Sequence, residues 1–394
     1  MSRPKVVLGV TIDDSLQYLR DYPAYLLAKG WDVHIASTPG PRLAELERLP
    51  GITTHPIPMV RDPSPARDLR ALFRWVRMLR SVRPQAISVG TPKASLVGLA
   101  AAVLARVPVR VYLIRGLRLE ASRGLGRRLL VAIERFTIRC STETLAVSHS
   151  LRERALELGL ARADRIEVLG PGSSNGVDTQ EFSRENFDDA EIAAVRSEYG
   201  ITPGVPVIGL VGRLTRDKGL FVLADACDIL AERAIPVQLL ILGAVDDESG
   251  ADAVARLREL SQNVVITGHV GRPALFYQTM DILCVPSFRE GFVNVALEAA
   301  SSEVPVVASD AIGVIDTVQN DVGGLVVPVG DVAATATAIA TLAGDDDQRR
   351  RMGRAGREWV VSNYQRVDVQ QRYAAHLARA LEKRTGIRVD VPAP

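Results

Sequence analysis

The stretch Arg289-Glu290-Gly291-Phe292-Val293-Asn294-Val295-Ala296-Leu297-Glu298 sets two carboxylates eight positions apart. An apolar run, Ile282 to Ser287, leads in, and a helical run, Val295 to Ser301, leads out. Eight residues is a little over two turns, so a continuous helix would put both carboxylates on one face. With Glu290 in a loop and Glu298 in the helix, both would instead reach the crevice at the carboxyl end of a strand. Open α/β sheets bind ligands there. The bland alternative is one solvated carboxylate and one on a helix face.

A second constellation is cationic. In Ile208-Gly209-Leu210-Val211-Gly212-Arg213-Leu214-Thr215-Arg216-Asp217-Lys218-Gly219, a strand is predicted to end at Gly212 and a helix to start near Gly219. Arg213 and Lys218 stand between them. Glycine lets a backbone approach an anion closely, and a helix N-terminus adds partial positive charge. Arginine offers a planar fork for phosphate oxygens and lysine a mobile point charge. Together they read as a diphosphate clamp without a Walker pattern, or as a surface turn with solvated cations. Thr267-Gly268-His269-Val270 closes another strand, and its backbone could read the edge of a base. His269 has no partner at metal-ligand spacing. The loop Asp310 to Asp316 could line the same site or cap a helix.

These residues need a scaffold, and the chain alternates strand and helix throughout. Lys5–Thr11, Trp31–Ser37, Ile52–Ile57, Gln85–Gly90, Pro108–Ile114, Glu143–Ser148 and Ile166–Leu169 read as strands. Leu16–Lys29, Arg67–Ser81, Ser95–Ala105 and Leu125–Cys140 read as helices between them. Gly170 to Asp178 crowds Gly, Pro, Ser and Asn as a hinge would. The rhythm then restarts, with strands expected at Val205–Arg213, Val237–Gly243, Asn263–Thr267, Asp281–Pro286, Val304–Ser309 and Gly324–Pro328. Helices are expected at Val222–Arg233, Ala251–Ser261 and Ala333–Ala343, and in the tail Gln348–Lys383. The pattern predicts an α/β fold of two doubly wound domains facing each other across a cleft. The expected boundaries are residues 1–172, joined by a C-terminal helix at about 366–394, and residues 173–365.

Composition agrees. The chain has 394 residues, 47% of them hydrophobic but only 5% aromatic, which suits buried parallel strands rich in aliphatic residues. The net charge is +2, yet residues 1–185 carry 28 Lys and Arg against 18 Asp and Glu, so the first half should face something anionic. Cys140, Cys227 and Cys284 sit in apolar contexts and read as core thiols of a cytoplasmic protein. Val6 to Val10 reads as a first strand, not a signal peptide. The longest apolar run, Ala94 to Ala105, is shorter than a membrane span.

Gly212-Arg213…Lys218-Gly219, Gly268-His269-Val270, Pro286-Ser287…Glu290-Gly291-Phe292…Glu298-Ala299 and Gly323-Gly324-Leu325-Val326-Val327-Pro328 occur in that order. With the hinge Asn175-Gly176-Val177-Asp178, this series resembles retaining, nucleotide-sugar-dependent glycosyltransferases of GT-B fold, family 4. The resemblance implies two Rossmann-like domains and transfer of a hexose-type sugar from a UDP- or GDP-sugar to an acceptor hydroxyl. It implies that Arg213 and Lys218 hold the donor diphosphate and stabilise charge on the leaving phosphate. Glu290 would bond sugar hydroxyls, and amides from Gly291, Phe292, Val293 and Asn294 would meet phosphate or sugar oxygens. Glu298 would accept from the ribose. Two cations can replace a metal ion, so no metal or cofactor is expected. The acidic clusters Asp13-Asp14, Asp246-Asp247 and Asp345–Asp347 then read as loop or surface charges.

On the acceptor side the resemblance departs from its pattern. Arg115, in Val111-Tyr112-Leu113-Ile114-Arg115-Gly116-Leu117-Arg118-Leu119-Glu120, stands where many members have a histidine. Arginine stays protonated and cannot serve as a base. Arg115 would help bind phosphate, with Arg118 beside it and Glu120 an alternative carboxylate. The departing phosphate itself could take the acceptor's proton. Thr91-Pro92-Lys93-Ala94-Ser95 resembles members that build polysaccharides or lipid-linked oligosaccharides, so Lys93 could meet an acceptor phosphate. Ser15, after the first strand, should border the acceptor. The preferred acceptor is a lipid-linked saccharide; a soluble metabolite, or a non-catalytic nucleotide-sugar sensor, are the alternatives. Arg67 to Arg83 combines an apolar stripe, Leu69, Leu72, Phe73, Val76 and Leu79, with a ring of arginines. Such a helix can lie on anionic lipid at the inner face of a membrane, or pack on its sheet with a solvated face. No nucleic-acid-binding motif is present.

Overall fold

The computed structural model describes residues 3–117, 119, 124–260 and 263–392. It divides into two units, residues 1–175 with 367–394, and residues 176–366. The chain passes between them three residues later than expected from the sequence at the first crossing, and one residue later at the second.

The first unit holds one parallel sheet. Its strands are β1 (Lys5–Gly9), β2 (Asp32–Ser37), β3 (Ile52–Pro56), β4 (Ala86–Val89), β5 (Val109–Ile114) and β6 (Glu143–Ala146), in the order β3-β2-β1-β4-β5-β6. The helices that follow them are α1 (Tyr22–Ala28), α2 (Pro41–Glu47), α3 (Pro65–Val82), α4 (Pro92–Leu104), α5 (Gly124–Cys140) and α6 (His149–Glu157). Order reverses between β1 and β4. Right-handed crossovers therefore place α3, α4 and α5 together on one face, and α4 packs against both neighbours.

The second unit repeats the plan. Helix α7 (Asp189–Glu198) leads into β7 (Val207–Val211), α8 (Leu220–Glu232), β8 (Gln238–Leu242), α9 (Glu248–Arg258) and β9 (Asn263–Gly268). Then come α10 (Pro273–Tyr277), β10 (Ile282–Val285), α11 (Asn294–Ser301), β11 (Val306–Ser309), β12 (Gly324–Val327), α12 (Val332–Gly344) and α13 (Asp346–Asn363). The order β12-β11-β10-β7-β8-β9 has the same topology as the first sheet, with β7 and β10 in the places of β1 and β4. No repeat is visible in the sequence, so packing rules rather than residue identity carry the similarity. Alternation along the strands fills both faces: Leu240 and Leu242 enter one apolar cluster, Leu239 and Ile241 the other. Helix α14 (Arg366–Thr385) completes the first unit.

Two expectations are corrected. Ile166–Leu169 forms no strand; Glu167 makes only an isolated bridge to Leu145 beside β6. The helix expected over Leu16–Lys29 is split into a 3-10 turn, Asp13–Tyr18, and α1, because Pro23 fits only in a helix's first turn. The acidic clusters lie in loops and at helix starts, as expected, and three of their carboxylates also order nearby backbone. Asp13 accepts from the Arg42 and Leu43 amides at the start of α2 (3.0 and 2.8 Å), while Asp247 and Asp345 cap α9 and α13. Cys140, Cys227 and Cys284 are buried free thiols, and burial raises the pKa of each.

Candidate functional site

Within the second unit the chemistry collects at the carboxyl ends of β7 and β10, the point where strand order reverses. After β7 the chain enters a 3-10 turn, Arg216–Lys218, which ends on Gly219 at φ 75°. A Cβ on Gly219 would lie 2.0 Å from the Pro286 carbonyl, so only glycine lets this turn close against the end of β10. Phe288 N donates to Asp217 O at 2.8 Å, and the Arg289 guanidinium holds Asp217 Oδ2 at 2.6 Å. The two loops are thus tied together, and Lys218 Nζ donates to Glu290 Oε1 in a three-quarters-buried ion pair. Asp217 was not singled out in the sequence; only its opposite charge to Arg289, far along the chain, could have signalled this role.

Arg213 has a carboxylate of its own. Its guanidinium reaches Asp246, and its side chain remains 65% exposed. A surface ion pair of this kind is worth at most about 1 kcal/mol, so the guanidinium can exchange Asp246 for a ligand anion at little cost. The two cations expected to act as one clamp are each held by their own carboxylate.

Helix α11 begins at Asn294, which settles Glu290 in the loop and Glu298 in the helix. The N-cap Val293 supplies no side-chain cap, leaving the first amides of α11 without that partner. Asn294 Oδ1 is buried with no hydrogen-bond partner among the described residues. An unpaired buried acceptor costs about 1–3 kcal/mol, which a ligand donor would recover. Glu298, four residues on, shares the helix face of Asn294 and is buried. Its Oε2 accepts from the phenol of Tyr277 at 2.9 Å. Phe292 is different: its ring packs on Tyr364 at 5.7 Å and on the apolar core, so only its backbone faces the loop. His269 is exposed and Val270 half-buried after β9, beside Gly268, whose carbonyl accepts from Gly243 N.

In the first unit a narrow cavity of about 40 Å³ opens at the ends of β1, β4 and β5, walled by Tyr18, Gly90, Arg115, Gln370 and Tyr373. Arg115 stacks on Tyr18 at 5.4 Å, and no carboxylate among the described residues pairs with it. Burial lowers its pKa from the usual arginine value and pushes that of Tyr373 up to about 12. Tyr373 OH donates to Ser173 O at 3.0 Å. Gln370 and Tyr373 come from α14, more than 250 positions from Arg115, and nothing in the sequence marked them. Ser15 sits half-buried in the 3-10 turn after β1. Arg118 and Glu120 lie outside the described residues. Lys93 is corrected: its ammonium donates to Asp68 Oδ1 at 2.7 Å with the side chain 9% exposed, so it fastens α4 to α3 and offers no free cation to an acceptor.

Two parallel six-stranded domains of one topology, with cations and carboxylates at the switch point of the second, have the architecture of the GT-B fold. The chain belongs to the glycosyl transferases group 1 family, whose profile matches residues 191–359; a glycosyl transferase 4-like domain matches residues 16–172. It is 34% identical to the capsular polysaccharide biosynthesis glycosyltransferase CapM of Staphylococcus aureus, over 92% of this chain and 94% of that protein. Among solved structures it resembles a glycosyltransferase from Rickettsia africae (TM-score 0.81, 17% identity, 97% of this chain and 100% of that one). It also resembles HepE of Anabaena in complex with UDP (TM-score 0.77, 20% identity, 95% and 100%).

Proposed function

We propose that this glycosyltransferase moves a hexose-type sugar from a UDP- or GDP-sugar to a hydroxyl of a lipid-linked saccharide in cell-surface polysaccharide synthesis, with retention of configuration. The observation that carries the donor reading is the Lys218–Glu290 pair, held where β7 and β10 diverge, next to the N-terminus of α11 and the unpaired Asn294 Oδ1. Lys218 stabilises charge on the leaving phosphate, and Arg213 leaves Asp246 to join it. Glu290 bonds the sugar hydroxyls, and Glu298 the ribose. The amides of Gly291 to Asn294 meet phosphate oxygens. Two cations neutralise the diphosphate without a metal ion.

Arg115 lies too far up the basicity scale to take a proton. The departing phosphate oxygen therefore receives the acceptor's hydroxyl proton on the face it leaves, as the new C–O bond forms and the sugar–phosphate bond breaks. The acceptor reading rests on the likeness to CapM, whose name places it in capsular polysaccharide biosynthesis. No described helix is long and apolar enough to cross a membrane.

A panel of nucleotide-sugars scored by protection against thermal unfolding tests the donor, since a ligand at about 100 times its Kd stabilises by about 2.7 kcal/mol. Protection by a UDP- or GDP-hexose that persists in EDTA is expected. Protection only on adding a divalent cation would overturn the metal-free reading.

A further inference from the structure

Two pairs of opposite charge stand side by side where the β7 and β10 loops meet. Asp217 faces Arg289, whose Nε and Nη2 reach the same Oδ2 at 3.2 and 2.6 Å, and Lys218 faces Glu290. The pairs are consecutive on both loops and share one register. Signs alternate along each loop: Arg216, Asp217 and Lys218 run plus, minus, plus, and Arg289 and Glu290 run plus, minus. A slip of one residue in one direction sets Asp217 against Glu290 and Arg216 against Arg289. A slip in the other direction sets Lys218 against Arg289. Of these three registers, the observed one alone opposes unlike charges. Repulsion in the wrong arrangements selects the right one as much as its own attraction does.

The β10 loop is anchored to the loop after β11. Glu290 N donates to Ile312 O at 2.9 Å, Ser309 Oγ donates to Ser287 O at 2.5 Å, and a Cβ on Gly313 would lie 2.5 Å from Glu290 O. The 3-10 turn after β7 is joined to the β10 loop by Phe288 N, which donates to Asp217 O at 2.8 Å, and by the two ion pairs. Those pairs differ in burial. The Lys218 and Glu290 side chains are 24% and 19% exposed, those of Arg289 and Asp217 34% and 54%. The outer pair is screened by solvent and adds little to stability, so its weight lies in where it holds the turn.

The donor reading requires the inner pair to part: Lys218 goes to the diphosphate and Glu290 to the sugar hydroxyls. Asp217 and Arg289 need not part. We infer that Asp217 and Arg289 are positioning residues for the transfer, and that the order of charges along the two loops fixes their register while Lys218 exchanges Glu290 for the donor. This role rests on the donor reading. A displacement of about 1 Å at the reacting groups can cost about 10²-fold in rate, so a pair too weak to govern stability can still govern turnover.

The test is donor hydrolysis without acceptor, measured on the full chain with UDP-glucose and with GDP-mannose, beside thermal unfolding and titration with UDP and GDP. Asp217→Glu and Arg289→Lys keep the order of signs and should hold kcat within about threefold of the wild type. Asp217→Asn and Arg289→Gln should each lower kcat about tenfold with the thermal midpoint barely moved. The decisive variant joins Asp217→Arg to Arg289→Asp. It keeps every charge and an attractive pair, yet makes each one-residue slip attractive too, so kcat should fall about 10²-fold while nucleotide still binds. Mere attraction between the loops predicts the opposite, recovery to the wild-type rate. Recovery in the reversed pair, or neutral variants that turn over like the wild type, would overturn the inference with the donor reading intact. A wild type that neither binds UDP or GDP nor hydrolyses their hexose conjugates would sink the donor reading, and the positioning role with it.

Discussion

The phenol of Tyr277 donates to Glu298 Oε2 at 2.9 Å, and both side chains are buried. Tyr277 comes from α10. Its hydroxyl fixes which way the Glu298 carboxylate points, and so positions the group read as the ribose acceptor. Tyr277→Phe keeps the ring against Phe182 (5.6 Å) and removes only that donor. The expected cost is about 1–3 kcal/mol of stability in urea unfolding. Weaker UDP or GDP binding should accompany it, with reduced discrimination against the 2′-deoxy nucleotide. Unchanged ribose discrimination would make Tyr277 a purely structural residue.

Lys218 and Arg213 should separate in their controls. Alanine at either position should cut turnover about 10²–10³-fold, the scale of losing one donor to a developing anion, with little change in thermal midpoint. Asp246→Asn frees the Arg213 guanidinium, and steady-state kinetics should show kcat within about threefold of the wild type because the pair it breaks is exposed. A large loss in Asp246→Asn would assign Asp246 a direct role and remove the exchange described for Arg213.

The alternation of strands and helices, the hinge and the loop–helix placement of the two carboxylates were legible because they rest on local signals: apolar periodicity, glycine and proline punctuation, and a motif within one β-loop-α unit. What stayed hidden is long-range. Tyr277 to Glu298, Asp217 to Arg289 and Tyr373 beside Arg115 are partnerships that only the closed sheets create. Lys93 was misread for the same reason: nothing near it in sequence announces Asp68, which arrives from α3. The α3 stripe is a composite of two faces, Leu79 buried with Ala71 and Trp75 but Leu69 and Phe73 exposed, which one blurred period in the sequence does not separate.

His34 and His55 stack at 5.2 Å on β2 and β3, with Nδ1 of one 3.0 Å from Nε2 of the other. Burial and the neighbouring imidazole push His55 down to about 4, and burial lowers His34 as well. Below about pH 6.5 the unfolded chain binds protons that the folded pair resists. Their contribution is therefore complete above that value and is lost as pH falls towards about 4. His55 is half-exposed, so the loss is about 1 kcal/mol after solvent screening. Urea unfolding at neutral pH and near pH 4.5 should show a steeper decline for the wild type than for His55→Gln. Parallel declines would remove the pair from the protein's acid sensitivity.

Gly219→Ala addresses how the donor loops are held. At φ 75° an alanine is strained by about 1 kcal/mol or more, and its Cβ would stand 2.0 Å from the Pro286 carbonyl. The 3-10 turn must back away, carrying Lys218 from Glu290. Loss of donor protection in thermal unfolding, together with a lower midpoint for the unliganded protein, is expected. A variant that binds nucleotide-sugar as tightly as the wild type would show that the turn does not set the Lys218 position.

Gly90→Ala tests the Arg115 cavity without touching a charge. Gly90 follows β4, and a Cβ there would come within 2.8 Å of Arg115 Nε. The guanidinium must then leave its stack on the Tyr18 ring, while β4 and its neighbours keep their register. If Arg115 grips an anionic group of the acceptor, the substitution should raise the acceptor KM about tenfold, or roughly 1.4 kcal/mol of lost transition-state stabilisation. The donor KM should not move, because Lys218 and Glu290 belong to the other domain. Arg115→Lys should mimic Gly90→Ala, since an ammonium keeps the charge and loses the planar stack. A fall in kcat with both KM values unchanged would instead place Arg115 at the reacting phosphate, and donor hydrolysis measured without acceptor would fall in the same proportion.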